Sequence, residues 1–136
     1  MEVKMNAVVV DTNVLIAFLE EGSGVAELLG RFDRLLVPAA VDAEFRAGLD
    51  MATKSGVKSA RFLDDLLGDA SVEFLPAGRD ESLKYAMLYR TLKIQGTPIP
   101  INDIWIAASA LVKNAPVCTF DRHFHHVPLL QVVEAA

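Results

Sequence analysis

Short apolar runs alternate along the chain with segments in which apolar residues recur every three or four positions. Residues 6–10, 35–37, 71–75, 117–120 and 129–133 form the apolar runs, and their composition predicts five strands. Apolar strands that lack polar alternation are typical of a sheet buried on both faces. The pattern therefore predicts an α/β fold with a central parallel sheet of about five strands between layers of helices.

The segments between the runs have the period of helices, and several residues are placed to begin or end a helix. Thr12 and Asn102 are predicted N-caps, Gly96 is a predicted C-terminal stop, and residues 54–56 are predicted to separate two helices. The predicted helices are a short one after Asp11 and then residues 23–32, 41–52, 57–67, 80–94 and 102–112.

Four acidic residues stand in apolar surroundings. Asp11 and Asp121 each follow a predicted strand, and the carboxyl ends of parallel strands meet at one edge of a sheet. Glu44 and Asp103 fall on predicted helices, on the side that we expect to face inward. Because an isolated carboxylate is costly to bury, four converging acids predict a bound cation.

The chemistry of these side chains favours a particular kind of cation. Carboxylate oxygens are hard ligands, so the cluster of acids predicts Mg²⁺ or Mn²⁺. Such ions can activate water for attack on a phosphodiester. In the competing interpretation, each acid has an ordinary role as a helix cap, a helix-dipole partner or a solvated side chain.

Four segments together resemble the PIN domain. They are residues 9–14 (VVDTNV), the isolated Glu44, residues 102–108 (NDIWIAA) and residues 119–124 (TFDRHF). Their order and spacing look like the VapC type of toxin ribonuclease, and the resemblance covers nearly the whole chain. Each segment alone is a weak signal, whereas the ordered set of four is specific.

The resemblance implies a three-layer α/β/α PIN-like fold, a metal-dependent endoribonuclease that cleaves RNA, and a cognate antitoxin protein that blocks the site. By motif position it makes the four acids the catalytic and metal-binding residues, with Asn13 and Thr119 as their hydrogen-bonding partners. Several relatives carry a further acid where this chain has His123. Arg122 and His123 are the candidate phosphate contacts.

Other functional classes fit the sequence less well. A phosphatase of the haloacid dehalogenase type needs a second aspartate two residues after the first, where this chain has Asn13. A receiver domain needs adjacent early acids and a late lysine, and we find neither. Two alternatives within the family stay open: a non-catalytic PIN fold that acts as an interaction module, and an RNA-processing nuclease outside toxin–antitoxin systems.

Composition adds limits to this interpretation. A length of 136 residues suits a single domain over residues 1–136. No apolar run approaches the roughly 20 residues of a membrane span, and the first residues lack a signal peptide, so we expect a cytoplasmic protein. A hydrophobic content of 52% leads us to expect a homodimer.

Three further groups of residues have a functional and an ordinary interpretation. The single cysteine, Cys118, is interpreted as a packed residue of a strand. The histidines at 123, 125 and 126 lack distant partners for a zinc site. Lys54, Lys58 and Arg61 are interpreted as a solvated face, and a path for an RNA backbone is the alternative; the net charge of −5 argues against an overall positive field.

Overall fold

The computed structural model describes residues 5–20 and 22–135, which contain a five-stranded sheet and six α-helices. A 3₁₀ turn, Arg122–His126, follows the fourth strand. In chain order the elements are β1 (Met5–Val10), α1 (Thr12–Phe18), α2 (Val25–Leu29), β2 (Phe32–Pro38), α3 (Ala39–Ala47), α4 (Lys54–Leu67), β3 (Val72–Leu75), α5 (Arg79–Gln95), α6 (Ile101–Lys113), β4 (Val117–Thr119) and β5 (Val132–Glu134).

The sheet is parallel throughout, with the strand order β3-β2-β1-β4-β5. The first strand therefore lies in the middle, and its residues Val8, Val9 and Val10 are buried. Helices cover the sheet, and α5 packs on α6 through the stacked rings of Tyr85 and Trp105, whose centroids are 4.3 Å apart. The predicted three-layer α/β/α architecture is confirmed.

Both predicted helix caps are wrong by one or two residues. The N-cap of α1 is Asp11, whose Oδ1 accepts a hydrogen bond from the Thr12 backbone N–H at 2.8 Å. The N-cap of α6 is Pro100, which makes no side-chain cap bond. An acid or amide near a helix start suits several positions of the first turn, so the sequence alone does not separate cap from first residue.

Residues 54–56 form the first turn of α4 and not a break, which corrects a second prediction. Thr53 is the N-cap, and its Oγ1 accepts a hydrogen bond from the Gly56 backbone N–H at 3.0 Å. The break lies earlier, at residues 48–53, because α3 ends at Ala47. The helix predicted at 23–32 is also shorter, since Phe32 already belongs to β2.

The longest helix agrees with its prediction. Helix α5 begins one residue earlier and ends one residue later than predicted, and Gly96 stops it with φ of +73°. That left-handed conformation suits glycine, which has no Cβ to clash. Within residues 5–20 and 22–135, no helix is long and apolar enough to cross a membrane.

Candidate active site

The carboxyl edge of the sheet opens into a crevice of about 630 Å³ beside the ends of β1 and β4. The chain leaves β1 toward β2 on one side while β4 lies on the other, and ligands of parallel α/β sheets bind at such switch points. All four predicted acids line the crevice. Its walls are formed by Asp11, Thr12, Asn13, Ile16, Glu44, Pro100, Ile101, Asn102, Asp103, Asp121 and His123.

Asp11 is the most buried of the four acids, at 3% exposure. Its Oδ1 accepts from the Thr12 N–H, and its Oδ2 accepts from the Thr119 hydroxyl at 2.8 Å. Burial raises the pKa of Asp11, these two hydrogen bonds oppose the rise, and the charges of Asp121 and Glu44 add to it. The carboxylate is thus held in place by β4 and by its own helix, close to the other acids.

Asp103 lies in the first turn of α6, as predicted, and is 9% exposed. Burial raises its pKa to about 6, and the nearby charge of Asp11 contributes to the rise. His123 Nε2 lies 2.5 Å from Asp103 Oδ2, and this contact acts in the opposite direction. Asp103 therefore lies near a second carboxylate, whose charge raises its pKa, and near an imidazole, whose contact lowers it.

Asp121 belongs to the same group of side chains and also lies near His123. His123 Nε2 is 3.9 Å from Asp121 Oδ2, and the Asp121 backbone N–H donates to Thr119 Oγ1 at 2.9 Å. One ligand atom each from Asp103, Asp121 and His123 lie within 4.8 Å of one another, a spacing that could hold a metal ion. His123, predicted only as a phosphate contact, thus lies inside the acid cluster.

Glu44 lines the crevice but is exposed, which corrects the expectation that its side chain is directed inward. The Asn102 side-chain amide donates to Glu44 Oε2 at 3.3 Å. The sequence predicts Asn102 as a helix cap and does not predict this contact. Its position next to Asp103 was the only available signal, since the pairing joins residues 58 positions apart.

The remaining predicted site residues differ in where they lie. Thr119 contacts Asp11, as described, and Asn13 is exposed on the wall of the crevice. Arg122 does not line the crevice; its side chain belongs to a smaller neighbouring pocket that also includes His125. The reason is the 3₁₀ turn, which directs consecutive side chains to different sides.

One polar atom in the crevice wall is without a partner. Thr12 Oγ1 is buried and makes no hydrogen bond with any residue that the structure describes. No lysine or arginine of residues 5–20 and 22–135 lines the crevice either. Buried unpaired polar atoms and uncompensated carboxylates are both unfavourable, so the donor set fits a small cationic ligand with its own hydration shell.

This chain, a parallel α/β domain with an acid crevice at its switch point, also matches the model of a known family. The family model described as "PIN domain" matches residues 8–130. The chain therefore belongs to the PIN domain family.

Its relatives within the family are VapC proteins. It is 36% identical to Ribonuclease VapC5 of Mycobacterium tuberculosis over 116 residues, which is 85% of this chain and 84% of the relative. A crystal structure of the VapBC-5 toxin–antitoxin complex from the same organism has a chain with 33% identity and a TM-score of 0.68, covering 94% of this chain and 96% of that chain. VapBC-1 from nontypeable Haemophilus influenzae has 29% identity and a TM-score of 0.75, with coverage of 95% and 98%.

Proposed function

We propose that this chain is a metal-dependent endoribonuclease that acts as the toxin of a toxin–antitoxin pair, with RNA as substrate. Relatives over most of its length are ribonucleases of the VapC group. The observation that carries the mechanism is the convergence of four carboxylates in one crevice whose walls carry no lysine or arginine among the residues described. The proposed RNA substrate supports a site of action in the cytoplasm.

In the proposed mechanism, Asp11, Glu44, Asp103 and Asp121 hold Mg²⁺ or Mn²⁺. Oxygen donors suit these hard ions, and the imidazole of His123 is compatible with Mn²⁺. When bound, such an ion supplies Lewis-acid polarisation of a phosphate and activation of water. Thr119 and the Thr12 N–H fix both oxygens of Asp11, so this carboxylate keeps its orientation when the site is filled.

The other residues of the crevice position the substrate. Asn102 orients Glu44, and His123 Nε2, when it carries a proton, can donate its N–H to Asp103. Ile101 is 60% exposed and Ile16 is 43% exposed on the crevice wall, where they offer apolar surface to a nucleotide base. No protein nucleophile would be required: water would attack the phosphorus, one P–O ester bond would break, and the leaving oxygen would take up a proton as an alcohol.

Hydrolysis of single-stranded RNA by the purified protein tests this proposal. Cleavage should require Mg²⁺ or Mn²⁺ and stop in excess EDTA. Asp11→Asn and Asp103→Asn should each lose at least about 100-fold, beyond the 10- to 100-fold typical of losing an outer hydrogen-bond partner. Asp33→Asn, which changes an exposed acid outside the crevice, is the matched control. Undiminished cleavage in EDTA, or by Asp103→Asn, would overturn the metal mechanism, whereas no cleavage by the parent would leave the non-catalytic alternative.

The partner in the proposed pair is a small antitoxin that reaches the acid crevice with an arginine, which can pair a carboxylate bidentately. Solved structures with which this chain aligns include VapBC-5, a member of the VapBC family of toxin–antitoxin systems, which supports this part of the proposal. If an arginine competes with metal, millimolar Mg²⁺ should weaken antitoxin binding to the parent and not to Asp103→Ala. Affinity indifferent to both changes would place the antitoxin elsewhere.

A further inference from the structure

We propose that a groove at the start of α4 binds the backbone of the RNA substrate beside the cleavage site; the proposal rests on the function given above. The groove has a volume of about 340 Å³ and lies between the loop after α3 and the first two turns of α4. It is lined by the cations Lys54, Lys58 and Arg61 and by the apolar side chains of Met51 and Val57. We call it the α4 groove.

The three cations of the α4 groove are free to bind an anion. All are exposed, and none forms an ion pair with any acid in the part of the chain that the structure describes. Arg46 and Lys113, by contrast, are each engaged with a carboxylate. The groove cations follow one another along α4 at intervals of four and three residues. They therefore lie on one side of the helix over about 10 Å.

Without a bound cation, the acid crevice cannot supply the affinity for RNA. Its walls carry carboxylates, and the protein has a net charge of −5, so both repel phosphates. Most of the affinity for nucleic acid comes from cations that neutralise phosphates. The contacts must then come from a local cluster of unpaired cations, and the α4 groove brings three of them into one concave surface.

The chain itself limits how far the α4 groove can lie from the crevice. Glu44 lines the crevice from α3, and two residues later Arg46 Nη2 binds Asp64 Oδ1 of α4 at 2.7 Å. Arg61 lies one turn before Asp64 on the same helix. Met51 follows Glu44 by seven positions, which limits the distance between their Cα atoms to about 25 Å. A strand of several nucleotides can span that distance from the scissile phosphate.

The apolar part of the α4 groove suits a nucleic acid that is single-stranded. Met51 is 55% exposed and Val57 is 40% exposed between the cations. Proteins that bind single strands combine cations for the backbone with aromatic side chains for unstacked bases. In the α4 groove the aliphatic side chains of Met51 and Val57 would supply the apolar contact. A paired helix would keep its bases stacked away from such a surface, so the groove favours unpaired RNA.

Binding of a short labelled single-stranded RNA in EDTA, measured by fluorescence anisotropy over a series of salt concentrations, tests the α4 groove. The triple variant K54A/K58A/R61A should bind at least tenfold more weakly at low salt. Its slope of log affinity against log salt should fall by about 2, from roughly 0.7 per phosphate contact. The control R31A/R79A/K93A removes the same charge from exposed, unpaired cations elsewhere and should keep the parent's slope.

Two further measurements separate the parts of the proposal. Met51→Ala should weaken binding a few-fold with an unchanged salt slope, because it removes apolar contact and no charge. In Mg²⁺, the groove triple variant should raise KM for RNA cleavage at least tenfold while kcat stays within about twofold of the parent. A positioning role in chemistry would lower kcat instead.

Each other outcome overturns the proposal in a distinguishable way. If the parent cleaves RNA and the triple variant keeps the parent's KM and salt slope, the groove is only a solvated surface. If the variant keeps its RNA affinity but loses affinity for a polyglutamate peptide, the groove binds an acidic polypeptide instead. If the parent cleaves no RNA, the proposed function fails, while the binding measurement still decides whether the groove holds RNA.

Discussion

The hydroxyl group of Thr119 contacts both of the acidic residues that follow β1 and β4. It donates to Asp11 Oδ2 and accepts from the Asp121 N–H, so the acids that follow β1 and β4 share one support. This arrangement lets two carboxylates lie near each other with their oxygens already oriented. The support for Asp103 is different, since it depends on burial in α6 and on the contact with His123.

Replacing Asp103 by asparagine should stabilise the metal-free protein at neutral pH. The pKa of Asp103 is raised by burial to about 6, above its ordinary value of 3.8, so its stabilising contribution is complete below pH about 3.8 and is lost as the pH rises through about 6. In EDTA, the free energy of unfolding of Asp103→Asn relative to the parent should therefore increase between pH 4 and 7, by on the order of 1 kcal/mol.

Denaturant melts at several pH values measure this difference. Asp69→Asn is a control of opposite sign, because hydrogen bonds from Ser71 lower the pKa of Asp69 and its contribution is lost as the pH falls. If Asp103→Asn melts below the parent at pH 7 in EDTA, Asp103 has a structural role, and its assignment to a metal site is wrong.

Individual site residues could be predicted where a charged side chain stands in an apolar run of the sequence. The four acids could be predicted because an isolated carboxylate is costly to bury unless it is paired or binds a cation. All four line one crevice. Asn102 and the unpaired hydroxyl of Thr12 could not be predicted in the same way. Polar residues near helix starts are common, and only the tertiary structure shows what they contact.

At the element scale, the start of α4 depends on a close approach between two segments of backbone. A Cβ placed on Gly56 would lie 2.0 Å from the Asp50 carbonyl oxygen, so no other residue fits without moving the loop. The same loop forms one side of the α4 groove. Glycine at this position thus fixes how the loop folds against the helix.

Gly56→Ala should destabilise the protein by about 1–3 kcal/mol, since the added methyl group forces the backbone of the loop apart. Gly68→Ala, at the other end of α4, is the matched control. A Cβ there meets its nearest atom, the Asp65 carbonyl oxygen, at 3.4 Å, which is ordinary contact. Thermal melts of both variants check the prediction, and equal melting temperatures for the two would contradict it.

Element existence was easier to predict than element ends. The five strands and the long helix α5 were predicted from apolar pattern, because burial imposes a clear period on the sequence. The predicted end of α3 and start of α4 were wrong because residues 48–56 contain glycine, serine and threonine, which suit either a break or a cap. The N-cap at Thr53, together with the tight contact at Gly56, makes residues 54–56 the start of α4 and not a break between helices.

At the scale of the whole molecule, the family assignment from sequence is confirmed by the match to the PIN domain, and the single domain over residues 1–136 stays a prediction. A homodimer is also still a proposal. Its support is an apolar stripe on α5, where Leu83, Met87 and Ile94 share one face and are 57%, 44% and 87% exposed.

Sedimentation equilibrium of the purified protein tests the homodimer. The parent should sediment as a dimer, and M87E/I94E should shift it to a monomer, because buried charge at an apolar interface is unfavourable. Leu129→Glu is the control, since Leu129 is 95% exposed but lies outside the stripe. A monomeric parent, or a dimer unaffected by M87E/I94E, would rule out this interface.

The pairing of β1 with β4 also has a consequence for biosynthesis and genetics. Asp11 and Thr119 are 108 positions apart, so translation at about 5–20 residues per second separates their emergence by roughly 5 to 20 s. A nascent chain therefore carries only part of its acid crevice during most of its synthesis. Any stop codon or frameshift before codon 117 removes β4 together with Thr119 and Asp121, and should behave as a null allele for the proposed RNA cleavage.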